Sequence, residues 1–338
     1  MMNIPGIIIA CPIDPEWQGR GTDEQEGVEA SMAAWDQQVA EWIVSKVRPG
    51  AAVIGVEQLK GGVSSVVQAV TLQDDDERIE VVLRRFTDRD WLREEPGVAR
   101  REAESLRLAG AAGLDTPTLI AVDETGEACG HPAVVMSRLT GAVVLQHVDQ
   151  AQWLDGLAGA IVRVHAASIP VADHRWDYRA YEDAEAQRVP AWSAVPDAWA
   201  AGIAAARGPQ PAFEPRFIHR DYHPANVLWH RDAVSGIVDW VNGCRGPVGI
   251  DVGHCRVNLA QLYGVEAADA FLALYSKHAA AAGAPFTYDP YWDIRTLLDM
   301  GEPEVYAGWI DLGFTGLTDS LIRARMDAYM ASLAARLA

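Results

Sequence analysis

The order of apolar and polar positions predicts strands in the first third of the chain. Three runs alternate apolar and polar side chains with a period of two, which is typical of strands with one buried face. These runs cover residues 53–59, 66–72 and 79–86. Helical spacing follows from Pro96 to about Ala109, and two further strand-like runs occupy residues 118–123 and 132–136. The pattern therefore predicts an antiparallel meander, one helix and two more strands, which form a small α+β unit.

The pattern becomes mainly helical after residue 141. Residues 150–167 place Trp153 and Leu157 on one stripe, as expected for an amphipathic helix. Residues 170–215 are rich in proline, tryptophan and acidic side chains without a clear period, which indicates loops and short helices. Most of the remaining chain again shows helical spacing. A larger helical part is therefore expected to follow the strand-rich part.

Composition excludes several classes of protein. The 28 basic and 47 acidic residues give a formal net charge of −19, which repels phosphate backbones and argues against nucleic acid as a partner. No run approaches the ~20 consecutive apolar residues that a membrane-spanning helix needs, so we expect no membrane insertion. The four cysteines form no CxxC pair, which favours a reducing, cytoplasmic location.

One segment carries the residue types that phosphoryl transfer needs. Residues 217–228 read FIHRDYHPANVL, and residues 236–240 read GIVDW. The first stretch matches the H-R-D-x-x-x-x-N loop of kinases, and Asp239 follows 13 residues after Asn226. The carboxylate of Asp221 can accept the proton of an acceptor hydroxyl. The Asn226 amide oxygen and the Asp239 carboxylate are hard ligands that suit Mg²⁺.

The motif is flanked by two short predicted strands, residues 216–218 and 236–241, of which the second carries Asp239. The loop, these strands and the IVDW context resemble the aminoglycoside phosphotransferase and choline kinase-like families, from about residue 50 to about residue 330. The resemblance implies a two-lobed, α+β, protein-kinase-like fold with a small antiparallel-sheet N-lobe and a larger, mainly helical C-lobe. It also implies Mg²⁺, ATP or GTP as phosphate donor, and a small-molecule acceptor.

The resemblance assigns parts of the chain and individual residues to roles. Residues 51–138 would be the nucleotide-binding N-lobe, and residues 139–338 would be the C-lobe with the catalytic loop and substrate pocket. Residues 1–50, before the region of resemblance, are expected to form an N-terminal arm and a docking helix because Val39, Trp42 and Ile43 follow a helical spacing. The resemblance implies the roles of the loop residues: Asp221 as catalytic base, His219 in support of the loop, Asn226 and Asp239 on the metal, and Asp251 as a brace that hydrogen-bonds to the loop backbone.

The nucleotide side has weaker signals. The stretch KGGVSS at residues 60–65 occupies the place of a kinase glycine-rich turn. Its members Gly61, Gly62, Ser64 and Ser65 are therefore candidates for covering the phosphates, because glycine lets the backbone approach closely. A glycine pair between two strands is also common in an ordinary hairpin turn.

The strand VVLRR at residues 81–85 resembles the V-A-I-K strand of kinases, with arginine in place of lysine. Alternation puts Val82 and Arg84 on one face, so Val82 would cover the nucleotide base and Arg84 would reach its phosphates. Glu102 lies on the apolar stripe of the following helix, and an inward carboxylate needs a cation, for which Arg84 is the candidate. By resemblance, Met136 would lie at the hinge that contacts the edge of the base.

Acidic residues alternate with tryptophan and tyrosine in residues 170–215 and 290–320. This composition is compatible with a cationic acceptor and equally with solvated helix faces. An aminoglycoside, a macrolide or another alcohol would fit, and an antibiotic acceptor would imply a role in resistance. The acceptor, the choice between ATP and GTP, and the oligomeric state stay open.

Two other hypotheses follow from the residues. Arginine in the place of lysine at position 84 suggests a catalytically silent nucleotide-binding protein of the same fold. A metallohydrolase is the other hypothesis, because imidazole and carboxylate groups near the motif are potential transition-metal ligands. Those ligands would be His219, Asp221, His223 and Asp239.

Overall fold

A computed structural model describes residues 37–59, 65–147, 149–170 and 174–337 of the 338-residue chain. These residues form two compact units. The strand unit comprises the described residues of 37–143 together with 228–241, and the helical unit comprises those of 144–227 together with 242–337. The arm before residue 37 and the candidate phosphate-covering residues Gly61, Gly62 and Ser64 lie outside the described residues.

The elements follow one another along the chain in three groups. The first group is α1 (Gln37–Val47), β1 (Ala52–Gln58), β2 (Ser65–Asp74), β3 (Glu77–Phe86), α2 (Arg89–Glu94), α3 (Val98–Ala111), β4 (Leu119–Asp123), β5 (Ala133–Ser137) and β6 (Ala142–Val143). The second group is α4 (Gln150–Ala166), α5 (Pro196–Ala206), β7 (Arg216–Ile218), β8 (Val227–His230), β9 (Ala233–Ile237) and β10 (Cys244–Gly246). The third group is α6 (Val248–Tyr263), α7 (Val265–Ala281), α8 (Pro290–Asp299), α9 (Ala307–Asp311) and α10 (Asp319–Ala334). Among the described helices, none combines the length and the apolar character needed to cross a membrane.

The strand unit is built on a five-stranded antiparallel sheet in the order β1-β2-β3-β5-β4. Its first three strands form the predicted meander. On one face of β3, Val81 and Leu83 pack in a buried cluster with Val39 and Ile43 of α1. Alternation therefore turns the intervening residues of β3 to the opposite face of the sheet. The α+β class predicted from the pattern is confirmed.

The strand predicted over residues 236–241 ends earlier, at Ile237. Asp239 follows it in the left-handed region, with a φ of 65°. Nε1 of Trp240 donates a hydrogen bond to the carbonyl of Ile237 at 2.9 Å, and residues 240–242 form a 3₁₀ turn. A left-handed residue cannot continue a pleated ladder. The placement of Asp239 on a strand was therefore wrong: it lies in the tight turn after one.

A second sheet of the strand unit has the order β6-β8-β9. Gly141 precedes β6 with a φ of 123°. A Cβ atom at this position would lie 2.4 Å from Oγ of Ser235 and 2.7 Å from the carbonyl oxygen of Trp229. Glycine is required here by both the backbone angle and the available space. The sequence analysis did not predict β8, because its residues continue directly from the kinase-like motif.

The helical unit is arranged around α6, in which 14 of the 16 residues are buried. Helices α7 and α8 both pack against it. Helix α8 approaches α6 closely at Gly253, where a Cβ atom would lie 2.8 Å from Oγ1 of Thr296 and 3.0 Å from the carbonyl oxygen of Trp292. The missing side chain at Gly253 allows the two helices to make direct contact, and this contact fixes the position of α6.

A buried charge network connects the helices of this unit. Arg256 on α6 is fully buried; its guanidinium lies 2.5 Å from Oδ2 of Asp293 and 2.6 Å from Oδ1 of Asp269, and its Nε donates to the carbonyl of Ala268. The Tyr329 hydroxyl donates to the other oxygen of Asp293 at 2.6 Å. Each polar group in the network thus has a partner from a different helix, and the removal of one partner leaves a buried charge uncompensated.

We expect Arg256→Met to lower the free energy of unfolding by about 3–5 kcal/mol, because the carboxylate of Asp293 would stay buried without its cation. Urea denaturation followed by tryptophan fluorescence measures this change. Arg216→Met is the matched control, since it removes an exposed ion pair with Glu214. The control should cost less than about 1 kcal/mol. Equal losses of stability in the two variants would contradict the role assigned to Arg256.

Candidate active site

The predicted catalytic loop, residues 219–226, belongs to the helical unit and begins where β7 ends. The antiparallel pairing of β7 with β10 fixes the start of the loop. Arg220 has a left-handed φ of 73°, which is uncommon for a residue other than glycine. Its guanidinium lies 3.8 Å from the ring centroid of Tyr181 and 4.8 Å from that of Tyr178. These cation–aromatic contacts stabilise the side chain that accompanies the unusual backbone.

Asp251, in the first turn of α6, binds the backbone of this loop. Its Oδ2 accepts the N–H of His219 at 2.8 Å, and its Oδ1 accepts the N–H of Arg220 at 2.6 Å. Nε2 of His165 on α4 lies 2.9 Å from the same Oδ2. Burial raises the pKa of Asp251, but these hydrogen bonds and the nearby imidazoles lower it more, so its pKa lies below the ordinary value. The structure thus places Asp251 as a brace of the loop backbone.

Asp221, the predicted base, is buried in the loop. Its N–H donates to Nδ1 of His219 at 3.3 Å, so His219 helps to hold the loop. Oδ1 of Asp221 lies 2.9 Å from Nε2 of His254 and 3.8 Å from Nε2 of His223, and neither Oδ1 nor Oδ2 accepts an aligned hydrogen bond from the described residues. Burial raises the pKa of Asp221, but the three imidazoles lower it more. Asp221 is therefore an ionised carboxylate at neutral pH.

Asn226 ends the loop on a 3₁₀ turn. Its amide nitrogen donates to the carbonyl of Asp221 at 2.8 Å and lies 3.2 Å from Nε2 of His223. Its Oδ1 is buried and accepts no hydrogen bond within the described part of the chain. A buried acceptor without a donor costs free energy unless something binds it. The amide oxygen of Asn226 therefore fits the predicted role of a Mg²⁺ ligand.

The described residues contain one group of potential transition-metal ligands: Asp221, His223 and His254. Nδ1 of His223 accepts the N–H of Ala225 at 3.2 Å. Nε2 of the same ring lies 3.2 Å from the amide nitrogen of Asn226, so both ring nitrogens of His223 face N–H groups. Burial lowers the pKa of His223 to about 3, so the ring is neutral. Of the four ligands that the metallohydrolase hypothesis names, only Asp221 and His223 belong to this group.

In the strand unit, Arg84 lies at the centre of a buried polar cluster. Its NH1 lies 3.0 Å from Oε1 of Glu102 and 2.6 Å from Oδ1 of Asp239, and its Nε donates to Oγ of Ser65 at 3.0 Å. The predicted pairing of Glu102 with Arg84 is present. Burial lowers the pKa of Arg84, but the two carboxylates raise it more, so the guanidinium stays charged. Burial raises the pKa of Glu102 more than Arg84 lowers it.

Val82 and Met136, the predicted base-contacting residues, line one apolar pocket of the strand unit. They lie directly opposite each other on β3 and β5. The other lining residues are Leu59, Pro117, Ser137, Arg138, Leu139, Leu228 and Val238. A mostly apolar pocket of this kind suits a planar ring such as a nucleotide base. The described nucleotide candidates thus form two groups, this pocket and the polar cluster around Arg84.

The sequence analysis missed two residues at the catalytic loop, His165 and His254. Neither belongs to a motif, and His165 is separated from Asp251 by 86 positions along the chain. The helical period contains a signal for His254, because it follows Asp251 by three residues and therefore lies on the same face of α6. If Asp251 faces the catalytic loop, His254 must face it too. No comparable local signal identifies His165.

Comparisons with known proteins agree with this geometry. The family model described as "Phosphotransferase enzyme family" matches residues 55–291, which is more than two thirds of the chain. No curated protein matches the chain. Among solved structures, a protein from Ralstonia eutropha JMP134, provisionally named an aminoglycoside phosphotransferase, is similar at 17% identity and a TM-score of 0.61. That match covers 89% of this chain and 98% of the other.

Two further structures have the same fold. Macrolide 2′-phosphotransferase MphH from Brachybacterium faecium matches at 17% identity and a TM-score of 0.51, covering 87% of this chain and 97% of its own. Amicoumacin kinase hAmiN, in complex with AMP-PNP, Ca²⁺ and Ami, matches at 14% identity and a TM-score of 0.55, covering 90% and 96%. At these identities the likeness concerns the fold, and it confirms the predicted protein-kinase-like fold.

The lowered pKa of Asp251 predicts a pH-dependent contribution to stability. A carboxyl group with a depressed folded-state pKa stabilises the fold above its unfolded pKa of ~3.9, and this contribution is lost as the pH falls through the folded value. We expect Asp251→Asn to lower the urea midpoint at neutral pH and to weaken its decrease on acidification. Urea titrations across the acidic range measure both effects. Asp155→Asn, at the half-exposed partner of His278, is the control, and an identical pH profile for Asp251→Asn and wild type would refute the prediction.

Proposed function

The chain belongs to the phosphotransferase enzyme family, and on that premise we propose that it is a small-molecule kinase. In the proposed reaction the γ-phosphate of ATP or GTP is transferred to a hydroxyl group of a small acceptor, with Asp221 as catalytic base. The observation that carries the proposal is the state of Asp221. It is a buried carboxylate with a lowered pKa, and its Oδ2 has no donor among the described residues.

Asp221 has two tasks in this reaction. The acceptor oxygen forms a new bond to the γ-phosphorus while the bond to the bridging oxygen of the nucleotide breaks, and the acceptor proton passes to Asp221. Because its pKa is low, Asp221 is a weak base, and it takes the proton late, once bonding to phosphorus has made the hydroxyl acidic. Its larger contribution is to orient the acceptor oxygen toward phosphorus.

Asn226 and Asp239 are the residues that we propose to hold Mg²⁺. When bound, this ion offsets the charge that develops on the β- and γ-phosphates. The donor types support the assignment, since Asn226 provides a buried amide oxygen and Asp239 a buried carboxylate.

Arg84 is the residue that we propose for phosphate binding. Its NH2 group is buried and donates no hydrogen bond to the described residues, so a donor is available to a phosphate oxygen. The apolar pocket with Val82 and Met136 supports a nearby place for the base. Ser65, one of the predicted phosphate-covering residues, accepts a hydrogen bond from Arg84, which supports a place for it beside the phosphates. The assignment of Gly61, Gly62 and Ser64 to the turn that covers the phosphates rests on the sequence resemblance alone.

We propose an acceptor with a free hydroxyl, of the size of a natural product or metabolite. Two structures of the same fold bear the names of kinases for such compounds, a macrolide phosphotransferase and an amicoumacin kinase. The net charge of −19 favours a cationic acceptor over an anionic one. The proposal places the reaction in the cytoplasm, where ATP and GTP are available.

A silent nucleotide-binding protein is the second candidate, because arginine replaces lysine at position 84. The buried groups of the catalytic loop argue against it. A polar atom buried without a partner costs free energy, and both Oδ2 of Asp221 and Oδ1 of Asn226 are of this kind within the described residues. A protein that never transfers phosphate gains nothing from these costs.

The decisive experiment is a Mg²⁺-dependent assay of ATP and GTP consumption, screened against aminoglycosides, macrolides and amino alcohols. We expect one class of acceptor to stimulate turnover, and we expect Asp221→Asn to lower the stimulated rate by about 100-fold or more, because the base is lost. Asp197→Asn on the exposed start of α5 is the control. Stimulated turnover that survives Asp221→Asn would contradict the assigned base. Binding of both nucleotides without turnover would favour the silent protein.

Two substitutions of Arg84 test whether its positive charge is needed to bind MgATP. We expect Arg84→Met to weaken the binding of MgATP by about 10-fold or more, whereas Arg84→Lys keeps the positive charge and stays within a few-fold of wild type. Isothermal titration calorimetry with MgATP measures both. Arg85→Met is the matched control, since Arg85 lies next to Arg84 and pairs with Gln68 instead. Equal affinities for wild type and Arg84→Met would remove Arg84 from the phosphate site.

A further inference from the structure

Asp221 contacts His254, a residue that does not belong to the kinase-like motif. Nε2 of His254 lies 2.9 Å from Oδ1 of Asp221, within hydrogen-bonding distance, although neither oxygen of this carboxylate accepts an aligned hydrogen bond from the described residues. Both side chains are almost completely buried, with 7% of His254 and 2% of Asp221 exposed. The χ2 torsion of an unrestrained aspartate has two broad minima, so its carboxylate group can rotate between them. A donor held against one oxygen therefore sets the direction of the other.

The placement of His254 on α6 makes it a rigid donor. His254 and Asp251 are three residues apart on one face of the helix. Asp251 binds the loop backbone, and His254 reaches the loop side chain, so a single helix contacts the loop in both ways. The helix itself is fixed by the close contact at Gly253 and by the hydrogen bond from Asn258 to the carbonyl of His254 at 2.8 Å.

The two other imidazoles near Asp221 are engaged elsewhere. Nδ1 of His219 accepts the backbone N–H of Asp221. Nε2 of His223 lies 3.8 Å from Oδ1 of Asp221 but only 3.2 Å from the amide of Asn226. His254 therefore makes the shortest contact with the carboxylate of Asp221 among the ion pairs of the described residues.

We infer that His254 is a positioning residue: its Nε2, 2.9 Å from Oδ1 of Asp221, limits the rotation of this carboxylate and thereby presents Oδ2 to the acceptor hydroxyl. The consequence for catalysis rests on the proposed function, whereas the contact does not. No bond to His254 forms or breaks in the reaction, because the proton of the acceptor passes to Oδ2 of Asp221. The sole contribution of His254 is to limit the rotation of the carboxylate, and its loss should lower kcat without changing the affinity for nucleotide.

The kinetic test compares His254→Leu, which has no donor, with His254→Gln, which keeps an N–H at a similar reach. We expect His254→Leu to lower kcat by about 10- to 100-fold, since a misplaced reacting group costs this much. KM for MgATP should stay unchanged, and His254→Gln should recover kcat to within a few-fold of wild type. The rate is that of MgATP and MgGTP consumption, with water and with the acceptor found in the screen. Wild-type kcat in His254→Leu, or equal losses in both variants, would overturn the inference.

Two comparisons exclude a merely structural effect. His278→Leu is the matched control, since it removes another imidazole–carboxylate contact of the helical unit, with Asp155 at 2.8 Å. It should leave the rates at wild-type values. The double variant His254→Leu/Asp221→Asn should be no slower than Asp221→Asn alone, because both changes act on one carboxylate. Multiplied losses in the double variant would show that His254 acts independently of Asp221 and would overturn the inference.

A measurement without turnover separates this inference from the proposed function. Selective ¹⁵N labelling of the nine histidines gives ring signals, and the His254 signal is the one missing in His254→Gln. We expect the form with the proton on Nε2, and a shift of this signal in Asp221→Asn. A proton on Nδ1, or an unmoved signal, overturns the contact whether or not the protein transfers phosphate. Absence of transfer from either nucleotide, together with the expected signals, would refute the proposed function and leave the contact intact.

Discussion

The carboxylate of Asp251 is the interaction on which the catalytic loop depends. It accepts the backbone N–H groups of His219 and Arg220 and contacts His165, so its burial is compensated from two sides. Without it, two backbone donors in a dry interior would lose their acceptors, at a cost of about 1–3 kcal/mol each. The left-handed conformation of Arg220 persists because Asp251 accepts the N–H of Arg220 and Nδ1 of His219 accepts the N–H of Asp221, so the peptides before and after the residue are both held. The position of Asp221, the next residue, follows from that conformation.

The strand unit solves a similar problem with a cation. Arg84 lies between two buried carboxylates, and each of the three groups would be unfavourable alone. In both units the compensation is incomplete at particular atoms, such as Oδ2 of Asp221, Oδ1 of Asn226 and NH2 of Arg84, which have no partner among the described residues. Most polar atoms of each cluster are paired within the protein, and this pairing stabilises the fold. The proposed chemistry explains why the remaining atoms are buried without a partner.

The sequence predicts what depends on local periodicity. Alternation placed Arg84 on one face of β3, and the helical stripe placed Glu102 inward, so their pairing could be predicted before the structure was known. Asp239 was misplaced because strand propensity does not register a left-handed turn. The contact of Asp221 with His254 joins residues 33 positions apart. Such contacts depend on how helices pack, which no short sequence window contains.

The left-handed backbone at Arg220 also limits how this protein can be engineered. Replacement of Arg220 by glycine would relieve about 1 kcal/mol of backbone strain. It would also remove the guanidinium that contacts Tyr178 and Tyr181 beside the proposed base. The buried carboxylate of Asp299, 3.8 Å from this guanidinium, would lose a cation as well. The cost of removing the Arg220 side chain therefore exceeds the strain that glycine relieves, and glycine is not a stabilising replacement at this position.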